Sequence, residues 1–155
     1  MKKVILLVTH AGCVALGFAL GIYLLPILTA PKGPSDTDVA AVMEAAAYSA
    51  EFKRDLEGSD FLHWGEGTVS ITAQSIALEG KIAPGPDYRL YLSPEFVETE
   101  AAFEALKSEM VEVSDVKTFE NFLVSVPATI DPGAYNTVVI WCESFGEFIT
   151  AAQYR

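Results

Sequence analysis

The sequence is short of the residues on which most catalysis depends. It has two histidines, His10 and His63, and two cysteines, Cys13 and Cys142, in 155 residues. A HExxH zinc helix, a His-rich metal site, a CxxC redox pair and a CxxCH haem attachment are therefore all absent, as are a Walker loop and a GxSxG elbow. Asp36-Thr37-Asp38 lacks the glycine and closing glutamate of a calcium loop. Basic residues are scarce as well, 10 against 21 acidic ones, for a formal net charge of −11. So acidic a chain repels phosphate at long range, which argues against a nucleic-acid partner.

The most informative absence is positional: no charged residue occurs between Lys3 and Lys32. Residues 32–155 thus hold 8 basic and 21 acidic residues, a balance of −13, beside an overall mean hydropathy of +0.31. The uncharged stretch, as a helix rising about 1.5 Å per residue, exceeds a hydrocarbon core of roughly 30 Å. Lys2 and Lys3 precede it and the acidic part follows. The positive-inside rule then places the N-terminus in the cytoplasm, the helix in the cytoplasmic (inner) membrane, and residues 32–155 outside, in the periplasm of a bacterium. We read 1–31 as an uncleaved anchor rather than a signal peptide, because Leu28-Thr29-Ala30 lacks the small residue three places before a cut and Pro31 would follow it. Cys13, Gly17 and Gly21 recur every four residues on one face, with Gly17 and Gly21 forming a GxxxG against which a second helix could pack. His10 falls near the cytoplasmic end, within reach of the headgroups.

Residues 32–50 read as a linker and a short helix. Asp36 or Asp38 serves as the cap, and Val39, Val42, Met43 and Ala46 repeat at helical spacing over 38–48. From 51 to 155 the pattern changes to short runs bounded by Gly, Pro, Asp and Ser. Strands are expected at 51–56, 67–73, 76–82, 88–92, 110–117, 121–126, 135–142 and 146–153, which predicts a mainly β, β-sandwich-like domain. A surface helix is expected at 94–108, where Phe96, Ala101, Phe103, Ala105 and Leu106 lie among acidic residues. Tyr135–Cys142 is apolar on both alternate faces, the pattern of a central strand.

Cys142 stands out as the one cysteine of the exported part, with no internal disulfide partner. It reads either as a buried core residue of an apolar strand or as a redox thiol, and Glu143 beside it favours the protonated form. His63 is either an exposed loop residue or a partner to Cys142, the latter if its strand pairs near that of Cys142. Trp64 and Trp141 either pack or stack on a planar cofactor.

Several motifs, in order, resemble the DM-thirteen ("electron transfer DM") domain family over roughly Phe52 to the C-terminus. They are His63-x-x-x-Gly67-Thr68-Val69, Gly85-Pro86-Asp87-Tyr88-Arg89-Leu90-Tyr91-Leu92-Ser93, Val126-Pro127, Asp131…Tyr135-x-x-Val138-Val139-Ile140-Trp141-Cys142, and Phe145-x-x-Phe148-x-x-Ala151. Ser114 and Glu120 stand where the family pattern has glycines. The resemblance implies a β-sandwich-like domain whose single cysteine, here Cys142, works as a bare thiol or as a ligand to a prosthetic group such as haem. His63, Gly67 and Trp141 match motif positions to which it assigns no role. The expected function is a membrane-tethered redox or electron-transfer carrier, with no substrate pocket of its own and with redox partners or other membrane subunits. The rival is an interaction module, a single-span accessory subunit in which Cys142 is only core.

Overall fold

A computed structural model describes residues 1–155. Helix α1 (Lys2–Thr29) is long and apolar enough to cross a membrane, and none of its residues is buried. After a short extended segment, α2 (Asp36–Glu44) begins on Ser35 rather than on either aspartate. The Ser35 side chain accepts the Asp38 N–H at 3.2 Å, while Asp36 and Asp38 sit in the first turn, where the helix dipole favours negative charge. The helix stops at Glu44, short of the expected 48, because Tyr48 already enters a strand.

Eight strands form, β1 (Tyr48–Phe52), β2 (Gly65–Ile71), β3 (Ser75–Ile82), β4 (Tyr88–Ser93), β5 (Val111–Val116), β6 (Glu120–Ser125), β7 (Thr137–Cys142) and β8 (Glu147–Gln153); the last seven lie within two residues of their expected bounds, whereas the first is displaced toward the N-terminus and shares only 51–52 with the expected 51–56. The expected helix at 94–108 is shorter: α3 spans Glu100–Leu106 and runs into a 3-10 turn at Lys107–Glu109. Pro94 and the cap at Thr99, whose hydroxyl accepts the Ala102 N–H at 3.2 Å, keep the preceding segment out of the helix.

The strands make two antiparallel sheets, β1-β2-β3-β6 and β5-β4-β7-β8. Their inner faces close on one core, with Val69, Ile71, Leu78 and Phe122 from the first sheet meeting Leu90, Leu92, Val138, Ile140, Cys142 and Ile149 from the second. The second sheet is buried on its outer face too, where Tyr91, Val139, Trp141 and Phe148 pack under Val97 and Phe103. That double burial is why every residue of β7 is buried and why the strand reads apolar on both faces. On the first sheet α2 lies against β2, β3 and β6 through Val39, which is buried.

One feature of β2 is built into the backbone. Gly67 has φ +118 and pairs with Gly80 of β3, so that two backbones meet without side chains between them. A Cβ on Gly67 would lie 2.3 Å from the Glu79 carbonyl oxygen.

Candidate functional site

Antiparallel pairing brings the β1–β2, β3–β4, β5–β6 and β7–β8 loops to one end of the sandwich, and α1 lies against that end. A cleft of about 510 Å³ opens there. Its sandwich wall includes Leu62, His63, Pro84, Pro86, Tyr88, Cys142, Phe145 and Glu147. The other wall is the α1 face carrying Leu16, Ala19, Leu20 and Tyr23. Cys142 and His63 thus line one cleft although β2 and β7 belong to different sheets; they do so because the β1–β2 loop and the end of β7 are at the same pole, not because their strands pair.

Cys142 ends β7 on the inner face, 3% exposed, opposite Tyr88 in register. Its thiol donates to the Pro86 carbonyl oxygen at 3.0 Å. The Gly85-Pro86-Asp87-Tyr88 segment is therefore the wall around the sulfur. Asp87 is held at φ 54, where its carbonyl accepts the Glu143 N–H at 3.1 Å and its carboxylate accepts from Ser144 Oγ at 2.8 Å and from Arg89 at 3.1 Å. These bonds tie the β3–β4 loop to the β7–β8 loop.

Burial pushes the Cys142 thiol up from its ordinary value; the Phe145 and Ser144 backbone N–H groups oppose this, and Asp87 and Glu147 add to it. The thiol is neutral near pH 7. As pH rises through the ordinary thiol range of about 8.5, the unfolded chain loses its proton first, so this group's contribution to folding is present below that pH and is lost above it. In a Cys13→Ala background, native Cys142 is expected to react with a maleimide at least roughly ten-fold more slowly than the unfolded chain at pH 8. Equal rates would mean that the thiol is open and ionised.

His63 is partly shielded, its side chain 24% exposed. Asp60 accepts the Leu62 and His63 backbone N–H groups at 2.6 and 2.7 Å and meets His63 Nδ1 at 3.1 Å. Burial acts to raise the Asp60 pKa, but these three bonds outweigh it and the carboxyl stays ionised to lower pH than usual. An ionised carboxylate only accepts, so Nδ1 carries the proton and Nε2 is left as the basic nitrogen. This carboxylate–imidazole arrangement is the one that orients a ligating histidine.

Trp141 does not share the cleft. Being one residue before Cys142 on a strand, it points to the opposite face, where it stacks on Phe103 with ring centroids 4.0 Å apart and planes 11° from parallel. Trp64 is covered by the Arg54 guanidinium at 3.3 Å from its ring centroid, and Arg54 also pairs with Glu66 at 2.6 Å. Trp141 is enclosed and offers no ring face to a cofactor, whereas Trp64 is half-buried with one face under Arg54 and lies outside the Cys142 cleft. Cys13, Gly17 and Gly21 are off to the side of the α1 face that lines the cleft, about a quarter to a third of a turn away. A Cβ on either glycine would meet nothing within 4 Å.

No three His, Cys, Asp or Glu side chains are placed to hold a metal ion. Toward a haem, the donors divide. His63 fits, its Nε2 having no protein partner. Cys142 does not fit as a thiolate ligand, because its proton is engaged by Pro86 and its surroundings, burial and two carboxylates, favour the neutral thiol.

Sequence reasoning singled out Cys142 and His63 but missed Asp60, Pro86, Asp87 and Ser144, which position them. The signal for Asp60 was present in its spacing, three residues before His63 in a polar loop. The contact of Pro86 with Cys142 spans 56 positions and has no local signature.

The model of a family described as "Electron transfer DM13" matches residues 34–154. No curated protein and no solved structure matches the chain. The matched range takes in α2 and all eight strands and leaves out α1.

Proposed function

From the premise that the chain belongs to the electron transfer DM13 family, we propose that it is a membrane-tethered extracytoplasmic electron-transfer domain whose redox chemistry is located in the loop-end cleft, with Cys142 as the redox residue and His63 as its neighbour. In this reading α1 anchors the domain in the cytoplasmic membrane with Lys2 and Lys3 inside and the sandwich outside. The observation that carries it is the shared cleft: the one exported cysteine and the one exported histidine, remote in sequence, line the same cavity.

What the residues do follows from their surroundings. Pro86 and the surrounding burial hold Cys142 as a neutral thiol, so an electron passed from it to a one-electron acceptor partner would leave together with the thiol proton. Asp60 fixes the His63 ring with Nε2 available to take up a proton or ligate a group in the cleft. A haem bound there would supply one-electron chemistry, and on this donor set it would be held through His63.

The test is a potentiometric titration, with visible absorption recorded on the same sample, of the full chain purified from its native membrane in mild detergent. A reversible redox transition is expected, lost in Cys142→Ser and shifted or weakened in His63→Ala, with thermal unfolding changed by no more than about 2 kcal/mol in either. A transition unaffected by both substitutions overturns the assignment to this cleft. No transition in the parent chain, together with co-purifying membrane subunits, would favour the interaction module instead. The open Cys13/Gly17/Gly21 face of α1 is the observation that recommends that second reading.

A further inference from the structure

The loop end of the sandwich carries apolar side chains that nothing in the protein covers. Phe61 is 91% exposed, Phe145 54% and Leu62 48%. Phe61 and Leu62 belong to the β1–β2 loop and Phe145 to the β7–β8 loop, so the three come from two loops at one pole, and Leu62 and Phe145 line the same cleft. An exposed phenylalanine is common; several gathered where an apolar helix joins the domain are not explained by folding.

The position of α1 says what covers them. Its 28 residues are roughly 42 Å long, whereas a hydrocarbon core is about 30 Å thick and takes about 20 residues. A core-length run starting at Val4, just after Lys2 and Lys3, ends near Leu24. Tyr23 then falls at the outer boundary, where aromatic side chains concentrate. Leu16, Ala19 and Leu20, which form the helix wall of the cleft, lie about 5–12 Å inside that boundary. Residues facing them across the cleft, Leu62 and Phe145 among them, are brought to the same depth.

Charge does not select this end. In this acidic domain Lys53, Arg54, Lys81, Arg89 and Lys117 lie in these loops or at the adjoining strand ends, whereas Arg155 is the basic residue of the far end. Lys81 pairs with Glu120 and Lys117 with Asp115, but Asp55, Glu57, Asp60 and Glu147 lie at the same end, so it is net acidic and its apolar side chains, not its charge, mark it out.

We infer that the loop end of the sandwich docks on the outer leaflet of the bilayer that α1 crosses, with Phe61, Leu62 and Phe145 inserted at the boundary of headgroups and acyl chains. The inference rests on the anchor reading above. Its consequence for the site is that the cleft of Cys142 and His63 opens at the lipid boundary, and a small molecule entering between the sandwich and α1 is an apolar one.

The experiment uses the full chain reconstituted in phosphatidylcholine–phosphatidylglycerol vesicles whose acyl chains carry bromine, a short-range quencher of tryptophan. Phe61→Trp and, separately, Phe145→Trp are compared with Ala128→Trp, an exposed position in the β6–β7 loop at the opposite pole. The emission added at position 61 or 145 is expected to be quenched at least two-fold, and that added at 128 not at all, to within roughly the precision of the vesicle control. Equal quenching at all three positions, in protein that stays with the vesicles through an alkaline carbonate wash, overturns the docking while leaving the anchor intact. Release of the protein by that wash overturns the anchor reading, and the docking with it.

Discussion

Gly67→Ala is expected to lower the unfolding free energy of the sandwich by about 2–5 kcal/mol, combining a backbone conformation that residues with a Cβ rarely adopt with an overpacked contact. At φ +118 the new Cβ would meet the Glu79 carbonyl oxygen at 2.3 Å and the Gly80 Cα at 2.6 Å. Both are backbone atoms of β3, so no side-chain rotation relieves the clash. The facing glycine worsens matters: a Cβ on Gly80 would come within 2.1 Å of the Glu66 carbonyl oxygen, which shows how closely the two strands pass here. Moving β3 away would also disturb its far side, where the Gly80 N–H donates to Asn121 Oδ1 at 2.9 Å and β3 departs from regular pairing with β6. For a domain with a total stability of about 5–15 kcal/mol, such a loss is a large fraction. Thermal unfolding followed by tryptophan emission should show a midpoint lower by roughly 10–20 °C. Gly33→Ala is the control, since its Cβ would make only a 3.4 Å contact, and a change within about 1 kcal/mol is expected. A loss at Gly67 no greater than that of the control would mean that β2 can take a negative φ at this point.

Phe103→Ala is expected to cost about 3–5 kcal/mol and to leave the Cys142 cleft unchanged. Phe103 is the buried residue of α3, with no exposed surface, stacked on Trp141 and edge-on to Tyr91 with centroids 5.2 Å apart. Without it α3 loses its apolar anchor. The neighbouring polar link is an exposed one, in which Lys107 pairs with Glu143 at 2.8 Å while Tyr91 donates to the same carboxylate; such a pair contributes little by itself. Trp141 then gains solvent, so its emission should shift to the red. Cys142 projects from the other face of β7, and its slow alkylation should persist in the folded variant. Fast alkylation of Cys142 in folded Phe103→Ala would show that the two faces of the second sheet are coupled.

These two predictions separate residues that are adjacent in sequence but not in role. Trp141 and Cys142 form one motif on paper, yet the strand's two-residue period sends the indole to the outer layer and the thiol to the inner core and the cleft. The motif is thus two packing requirements met by neighbouring positions. Gly85-Pro86-Asp87-Tyr88 shows the opposite case: a segment far from Cys142 in sequence supplies the carbonyl that holds its proton and the left-handed turn that fixes the loop.

The sequence by itself determined the apolar helix, the last seven of the eight strands, the central place of Thr137–Cys142 and the family, because each depends on local pattern: a long uncharged run, the alternation of apolar residues between turn signals, and ordered short motifs. It misjudged helix ends, where Ser35 captured the cap of α2 and Thr99 delayed the start of α3. Only the tertiary structure decided which strands share a sheet, that His63 and Cys142 line one cleft, that Trp141 is turned away from it, and that Leu62 and Phe145 face α1 across it. Those facts depend on how loops distant in sequence converge when two sheets close on a core, and a contact such as that between Pro86 and Cys142 is set by the packing of whole strands rather than by any preference of the residues that make it.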